Sequence, residues 1–362
     1  MLIAENQPLA PLTTFGIGGP ARWFVEATTE GEIVEAVSWA HSRDIPLFIL
    51  GGGSNLLVSD DGFDGLVVRI ALAGMAVENL DGEPGSRIYR CGAGENWDAF
   101  VERAAGDQCA GIECLAGIPG TVGGTPVQNV GAYGQEVAST IVRVRAFDRG
   151  EGSFVEFSAE ECHFAYRRSR FNSNDRGRFV VTRVDFRLTP NAVPTLRYAD
   201  VRHAFAPGSS PTLREVAAAV RRIRQSKGML LVDGDPDCRS AGSFFKNPVV
   251  SASLAEHIAA STAKELPRYP AGPGPEHAGK VKLPAAWLIE QAGFGKGYTR
   301  GAAAISTRHT LALVNRAGAT SEEILSLANE IRAAIESRFA ISLEIEPILV
   351  GFKSNVGFTS NS

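Results

Sequence analysis

Gly117-Ile118-Pro119-Gly120-Thr121-Val122-Gly123-Gly124, followed within a few residues by Gln128-Asn129-Val130-Gly131-Ala132-Tyr133-Gly134, is the stretch on which the fold turns. A pyrophosphate needs several backbone N–H groups aimed at one point with no Cβ in the way, and glycine meets both conditions. Such a density of glycine with amide and hydroxyl side chains is hard to account for as core packing or as a hairpin. Upstream, a second glycine run, Gly51-Gly52-Gly53-Ser54-Asn55, stops the short apolar β-type segment Ile45-Pro46-Leu47-Phe48-Ile49-Leu50. By itself this run reads equally well as a tight turn. It lacks the G-x-G-x-x-G form and no helix follows directly, so it matches a Rossmann NAD site poorly.

Around these loops the pattern is α+β. Apolar residues at near-helical spacing predict a helix over Glu30 to His41, with Thr28-Thr29 as its N-cap. Gly65 to Ile70 and Ile88 to Gly94 read as strands, and Asn96 caps a helix from Trp97 to Ala105. Strand-like runs follow at Val142 to Phe147, Phe154 to Phe157 and Phe179 to Leu188. Leu213 to Gln225 is an amphipathic helix broken at Gly228. A further helix is expected from Leu254 to Ala260, and an exposed Pro/Gly-rich loop from Pro267 to Gly279. The last helix runs from Ser321 to Arg338, its N-cap Thr320 or Ser321 and Glu323 in its first turn.

The bulk properties narrow the function. A chain of 362 residues exceeds one compact core, so two or three domains are expected. The net charge of −4 disfavours a general binder of nucleic acid or of membrane surfaces. Basic clusters such as Arg167-Arg168 and Arg221-Arg222-Ile223-Arg224 then read as specific anion sites or as solvated helix faces. No early segment has the length and flanks of a signal peptide, and no stretch approaches a 20-residue span. The five cysteines form no CxxC or CxxH pair, so no metal site is expected, and reduced thiols in a cytoplasmic protein fit best.

Taken together, the motifs resemble the bacterial UDP-N-acetylenolpyruvoylglucosamine reductases, flavoenzymes of peptidoglycan precursor synthesis. The resemblance runs over almost the whole length. It rests on Thr13 to Gly19, Gly51 to Leu57, Gly117 to Gly124, Asn129 to Gly134, Tyr166 to Ser169, Ala241 to Pro248, Trp287 to Gly293 and Leu343 to Pro347. It implies a two-part FAD-binding domain of the vanillyl-alcohol-oxidase type and a C-terminal α+β substrate-binding domain. In this chain the parts would be residues 1–70 joined by 340–362, then 71–226, and finally 227–339. FAD, held noncovalently, would contact Gly51, Gly52, Gly53, Ser54, Asn55, Gly117, Ile118, Pro119, Gly120, Thr121, Gly123, Gly124, Asn129, Gly131, Ala132 and Tyr133.

Read singly, three polar residues have ordinary explanations: Arg167 as an ion-pair partner, Ser243 as a helix cap, Glu346 as a solvent-facing strand residue. The resemblance instead makes them the catalytic set for reducing an enolpyruvyl ether to a lactyl ether. NADPH and UDP-N-acetylglucosamine enolpyruvate would use one cleft in turn. Arg167 and Glu346 would serve the substrate carboxylate, where negative charge develops, and Ser243 would donate a proton to the adjacent carbon. Tyr198, Arg224, Lys227, Asn247 and Gln291 would bind the UDP-sugar, and the Tyr198 segment marks the subclass with a tyrosine lid. A monomer is expected, with neither nucleic acid nor membrane as a partner. After Glu346 the chain reads Pro347-Ile348-Leu349-Val350-Gly351, where some relatives carry a basic residue.

Two other readings compete. One is an oxidase of the same flavin fold; many of those tether FAD through His or Cys, yet Gly51 to Asn55 holds neither and no His lies between His41 and His163. The other is a non-catalytic nucleotide-binding module, which leaves Arg167, Ser243 and Glu346 without a purpose.

Overall fold

The computed structural model describes residues 1–79, 85–272, 275–316 and 318–353. The chain divides into two compact units: Met1–Gln7, Ala21–Gly53 and Asp64–Ser226 in the first, Pro8–Pro20, Ser54–Phe63 and Lys227–Ser362 in the second. The division falls between Gly53 and Ser54, so the first glycine run contributes to both.

In the first unit, the Glu30–His41 helix starts at a capping box. Thr29 accepts from the Glu32 N–H, and the Glu32 carboxylate returns to the Thr29 N–H. Its Ile33, Ala36, Val37 and Ala40 are buried in one cluster with Val25, Leu66, Val68 and Ile70 of the neighbouring sheet. That sheet runs in the order Ala4–Pro8, Pro20–Ala27, Phe63–Ile70, Leu47–Leu50. Leu47–Leu50 lies parallel to Phe63–Ile70 with Leu47 opposite Leu66, and it delivers Gly51 at its end. A second, antiparallel sheet takes the order Ser153–Ser158, Ile141–Asp148, Phe179–Pro190, Arg87–Gly92, Met75–Asn79. The helices Trp97–Gly106 and Leu213–Ser226 pack against each other. Tyr89, Trp97, Phe100 and Phe186 join them to the sheet with ring centroids 5.0 to 5.8 Å apart. As expected, Asn96 caps the first of these helices, accepting from the Ala99 N–H at 2.9 Å.

The second unit has its own core, with Phe15, Phe244, Phe245, Leu288 and Ile331 among its buried residues. Its main helix, Ser321–Phe339, is capped by Thr320 and Glu323. Asp60 adds a second acceptor there, taking the Ser321 N–H at 2.9 Å and its hydroxyl at 2.7 Å. Thr320 is therefore the N-cap, and Ser321 opens the first turn. Ala303–Ile305 and Leu313–Asn315 form an antiparallel pair, and Trp287 lies in the Ala285–Gln291 helix. Leu56–Val58 pairs in parallel with Ile348–Val350, which explains why apolar residues follow Glu346.

The structure corrects two of the sequence expectations. Pro267 to Gly279 is not all loop: Tyr269–Pro270 pairs with Lys280–Lys282, and Pro275–His277 makes a 3-10 turn. Residues 273 and 274 of that segment, and 354–362 of the expected C-terminal part, lie outside the described residues. Strands that were not anticipated include Ala4–Pro8, Pro20–Ala27, Leu56–Val58 and Met75–Asn79. Ala-Glu-Asn-Gln-Pro is polar and mostly exposed, so no period-2 apolar signal marks it, and Met-Ala-Val-Glu-Asn is mostly exposed with no alternation of apolar and polar residues.

Phe100 is fully buried at the centre of the aromatic cluster. Phe100→Ala is expected to destabilise the first unit by about 3–5 kcal/mol through lost burial and the cavity left behind. Urea denaturation followed by tryptophan fluorescence measures this, because Trp97 is one of its neighbours.

Candidate active site

The two glycine loops meet backbone to backbone. A Cβ on Gly52 would lie 2.4 Å from Gly120 Cα and 2.9 Å from the Thr121 nitrogen, so no side chain fits there. Gly120 has a φ of +129°, a conformation that an L side chain rarely adopts. Beside this contact the Thr121 hydroxyl is buried with no hydrogen-bond partner among the described residues. Buried hydroxyls normally find a partner, so this one suits a ligand oxygen or nitrogen.

The second loop is fixed from three sides. Asp98, in the first turn of the Trp97–Gly106 helix, accepts the Gly117 N–H at 2.6 Å. Arg224 Nε donates to the Gly117 carbonyl at 2.9 Å. The Val122 N–H bonds the Glu95 carbonyl, and the Trp97 N–H bonds the Gly120 carbonyl. Asp98 is held in turn by Arg221, whose Nη2 donates to its Oδ1 at 2.9 Å while Nη1 reaches Glu102. Sequence reasoning missed Asp98 and Arg221. The only signal available was an acidic residue in a helix first turn, which normally reads as a capping preference.

Arg224 does not lie on a solvated helix face: it is only 8% exposed. Burial lowers its pKa; Tyr133 and Asp98 oppose that lowering, and Arg167 nearby adds to it. Two cations so close with one buried are unfavourable in isolation, and a bound anion would relieve them. Tyr133 packs edge-on against Tyr198, ring centroids 5.4 Å apart. The unit therefore gathers Arg167, Tyr133, Tyr198 and Arg224 beside Gly117.

Tyr133 and Arg167 each sit at the tip of a tight turn. Tyr133 (φ +49°) and Gly134 (φ +84°) connect Gly131–Ala132 to Gln135–Glu136, and both positive φ values suit a two-residue hairpin. Arg167 (φ +54°) is held where Ala165 and Arg168 exchange backbone hydrogen bonds at 2.9 and 3.1 Å. Asn172 Nδ2 donates to the Arg167 carbonyl. Asn129 ties the two turns together. Its amide hydrogens bond Glu136 Oε2 at 2.9 Å and the Ala165 carbonyl at 3.0 Å, and its Oδ1 accepts from the Ala138 N–H. Asn129 thus supports the turns, and its own N–H bonds the Pro126 carbonyl. Backbone strain of this kind collects where a side chain must be aimed.

The second unit holds Ser243, Glu346, Lys227, Asn247 and Gln291. Phe245 pairs with Ile345 in an antiparallel bridge, the Glu346 N–H bonds the Phe244 carbonyl at 2.9 Å, and the Lys246 N–H bonds Glu344. Ser243 and Glu346 therefore occupy adjacent extended segments. Ser243 follows Gly242 in irregular chain and caps no helix, contrary to its ordinary reading. Asn55 secures Glu346: its Nδ2 donates to the Glu346 carbonyl at 3.1 Å and its own carbonyl takes the Ile348 N–H. Asn247 Oδ1 accepts the first N–H of the Ala285–Gln291 helix, and Gln291 closes that helix. Thr14 Oγ1 bonds the Ser240 carbonyl at 2.6 Å, anchoring the start of this segment.

The comparisons with known proteins agree in outline. An FAD binding domain model matches residues 21–158. A model described as UDP-N-acetylenolpyruvoylglucosamine reductase, C-terminal domain, matches residues 235–350. The UDP-N-acetylenolpyruvoylglucosamine reductase of Thermobifida fusca is 44% identical over 96% of this chain and 98% of its own. The chain belongs to the UDP-N-acetylenolpyruvoylglucosamine reductase family. The Streptomyces coelicolor member is 46% identical over 96% of this chain and 90% of its own. The crystal structure of the Thermus caldophilus reductase superposes with a TM-score of 0.63 at 27% identity, covering 96% of this chain and 98% of that one. The fold is thus α+β, an FAD-binding domain followed by the reductase C-terminal domain, and FAD is the cofactor of this reductase. The residues fit it: a cradle that a Cβ would fill, a buried hydroxyl awaiting a partner, and donors of the kind a pyrophosphate takes.

Two expectations follow for this reductase. Asp98→Asn removes a charge-assisted bond to the loop, and FAD should bind about tenfold more weakly, read by flavin fluorescence during titration. His309, whose Nδ1 accepts from the Leu311 N–H, has its pKa pulled down to about 4, chiefly by burial and then by Lys227 and Lys296. The unfolded chain protonates His309 near 6.5, before the folded one does. Stability should therefore fall as pH drops from about 6.5 towards about 4, and His309→Asn should flatten that part of the denaturation profile.

Proposed function

We propose that the chain reduces UDP-N-acetylglucosamine enolpyruvate to UDP-N-acetylmuramate with NADPH, as a cytoplasmic step of peptidoglycan precursor synthesis. Near full-length likeness to reductases of that name, 44% identity over 357 residues, carries this reading. FAD, held at the glycine loops, would supply the hydride chemistry that links NADPH to the enolpyruvyl group. Backbone N–H groups of Gly51 to Gly53, Ile118, Gly120 and Thr121, with the hydroxyls of Ser54 and Thr121, are the proposed pyrophosphate donors. Neither run contains His or Cys, which supports noncovalent retention.

Arg167 and Glu346 are proposed to engage the substrate carboxylate and stabilise the enolate-like charge beside it. Ser243 Oγ donates the proton that completes the lactyl ether. No hydrogen bond occupies the Ser243 hydroxyl among the described residues, which leaves it available for transfer. Arg224 and Lys227 supply cations for the diphosphate, Tyr198 covers the ligand beside Tyr133, and Asn247 and Gln291 contribute amides from the second unit. Residues 227–339 form the proposed substrate-binding part. NADPH and substrate share one cleft in turn, and the protein acts as a monomer.

Anaerobic half-reactions test the assignment. NADPH should bleach the flavin, and UDP-N-acetylglucosamine enolpyruvate should restore its colour without oxygen. Ser243→Ala should leave bleaching intact and slow recolouring by about 10²–10⁴-fold. Equal losses in both halves would remove Ser243 from the proton-transfer step.

A further inference from the structure

Away from the glycine loops, the first unit has a cleft of about 460 Å³. It lies between the end of the Glu30–His41 helix and the turns at Arg149 and Arg176–Arg178. Its apolar wall is formed by Val37, Ala40, Ile45 and Leu47. Arg149, Arg176 and Arg178 line the opposite side.

Their charges are unequally matched. Arg178 is neutralised by a bidentate pair with Asp148, which also accepts the Gly150 and Glu151 N–H groups. Asp148 thereby has its acceptors occupied and its pKa held below the usual carboxylate range, first by Arg178. Among the described residues no carboxylate lies within ion-pair distance of Arg149 or Arg176. Arg149 donates one guanidinium N–H to the Gly177 carbonyl at 2.5 Å, while its Nε is buried without a partner. Burial depresses the pKa of both arginines, so each carries an uncompensated desolvation cost.

The rest of the rim does not cancel this charge. The last carbonyls of the helix, those of Ser38, Ala40 and His41, accept from Ser42, Arg43, Ile45 and Asp44, so its negative end is satisfied. His41 and Asp44 complete the lining, and Asp44 supplies a single opposing charge.

We infer that this cleft is a binding site for a small organic phosphate, its dianion held by Arg149 and Arg176 and its apolar body against Val37, Ala40 and Leu47. Two unmatched guanidiniums suit a dianion better than a monoanion, and their fixed fork suits phosphate oxygens. The volume falls within the range of small-molecule pockets, about 300–1,000 Å³.

Isothermal titration of the FAD-loaded full chain with phenyl phosphate, inorganic phosphate and phenol tests this. Phenyl phosphate should bind saturably, inorganic phosphate more weakly, and phenol not at all. Arg176→Gln should weaken phenyl phosphate about tenfold, Arg149→Gln likewise, and Asp44→Asn should tighten it. Arg149 also supports the Gly177 carbonyl, so Arg176→Gln, which removes no hydrogen bond within the fold, carries the test if the other variant unfolds. Absence of saturable binding at millimolar phenyl phosphate overturns the proposal. So does affinity unchanged in Arg176→Gln, which would place the ligand in the diphosphate-binding part of the reductase site. Equal affinity for inorganic phosphate would remove the apolar body from the ligand.

Discussion

The contact between Gly52 and Gly120 sets the terms for the flavin site. Two loops from distant parts of the chain approach so closely that a single methyl group on Gly52 would overlap the opposing backbone. Removing side chains from both loops lets backbone N–H groups converge, and convergence is what a pyrophosphate requires. The same contact makes the loops poor at holding themselves in place, because glycine has little to pack. Their rigidity must come from outside. It comes from Leu47–Leu50 paired with Phe63–Ile70 on one side, and from Asp98 and Arg224 gripping Gly117 on the other.

Arg224 ties this scaffold to its chemistry. A guanidinium buried to 8% exposure loses most of its hydration, and its bond to the Gly117 carbonyl together with Tyr133 and Asp98 opposes that loss. Arg167 beside it adds a second positive charge, which makes the region favourable to an anion. Arg221 works in the opposite sense: its pairs with Asp98 and Glu102 are complete, so it fixes geometry and attracts nothing further. Two arginines three residues apart on one helix thus have different jobs, decided by which carboxylates reach them.

How much of this could be read from the sequence depends on the range of the interaction. The Glu30–His41, Trp97–Gly106 and Ser321–Phe339 helices were legible because capping residues and helical periodicity are local. The glycine loops were legible because composition alone signals an exposed backbone. Edge strands such as Ala4–Pro8 were not, because their side chains carry no alternation. Neither was the supporting role of Asn129, whose three partners lie seven, nine and thirty-six residues away. Nothing in Asn-Val-Gly-Ala-Tyr distinguishes an amide that meets a ligand from one that holds two turns together. The catalytic candidates were found through likeness, and the geometry adds how each is mounted.

That mounting follows one rule. Arg167 and Tyr133 are placed at left-handed turn tips, where a side chain projects from a backbone bonded to itself on both flanks. Glu346 sits in a segment that Asn55 holds through the Glu346 carbonyl and the Ile348 N–H. In each case hydrogen bonds to the backbone fix where the functional group starts. A carboxylate or guanidinium recruited into structural pairs, as Asp98 and Arg221 are, keeps its charge but has it already engaged. The chain's net charge of −4 is therefore no guide to its site. What matters is where the fold buries a cation, and in the first unit it buries Arg224 beside Gly117.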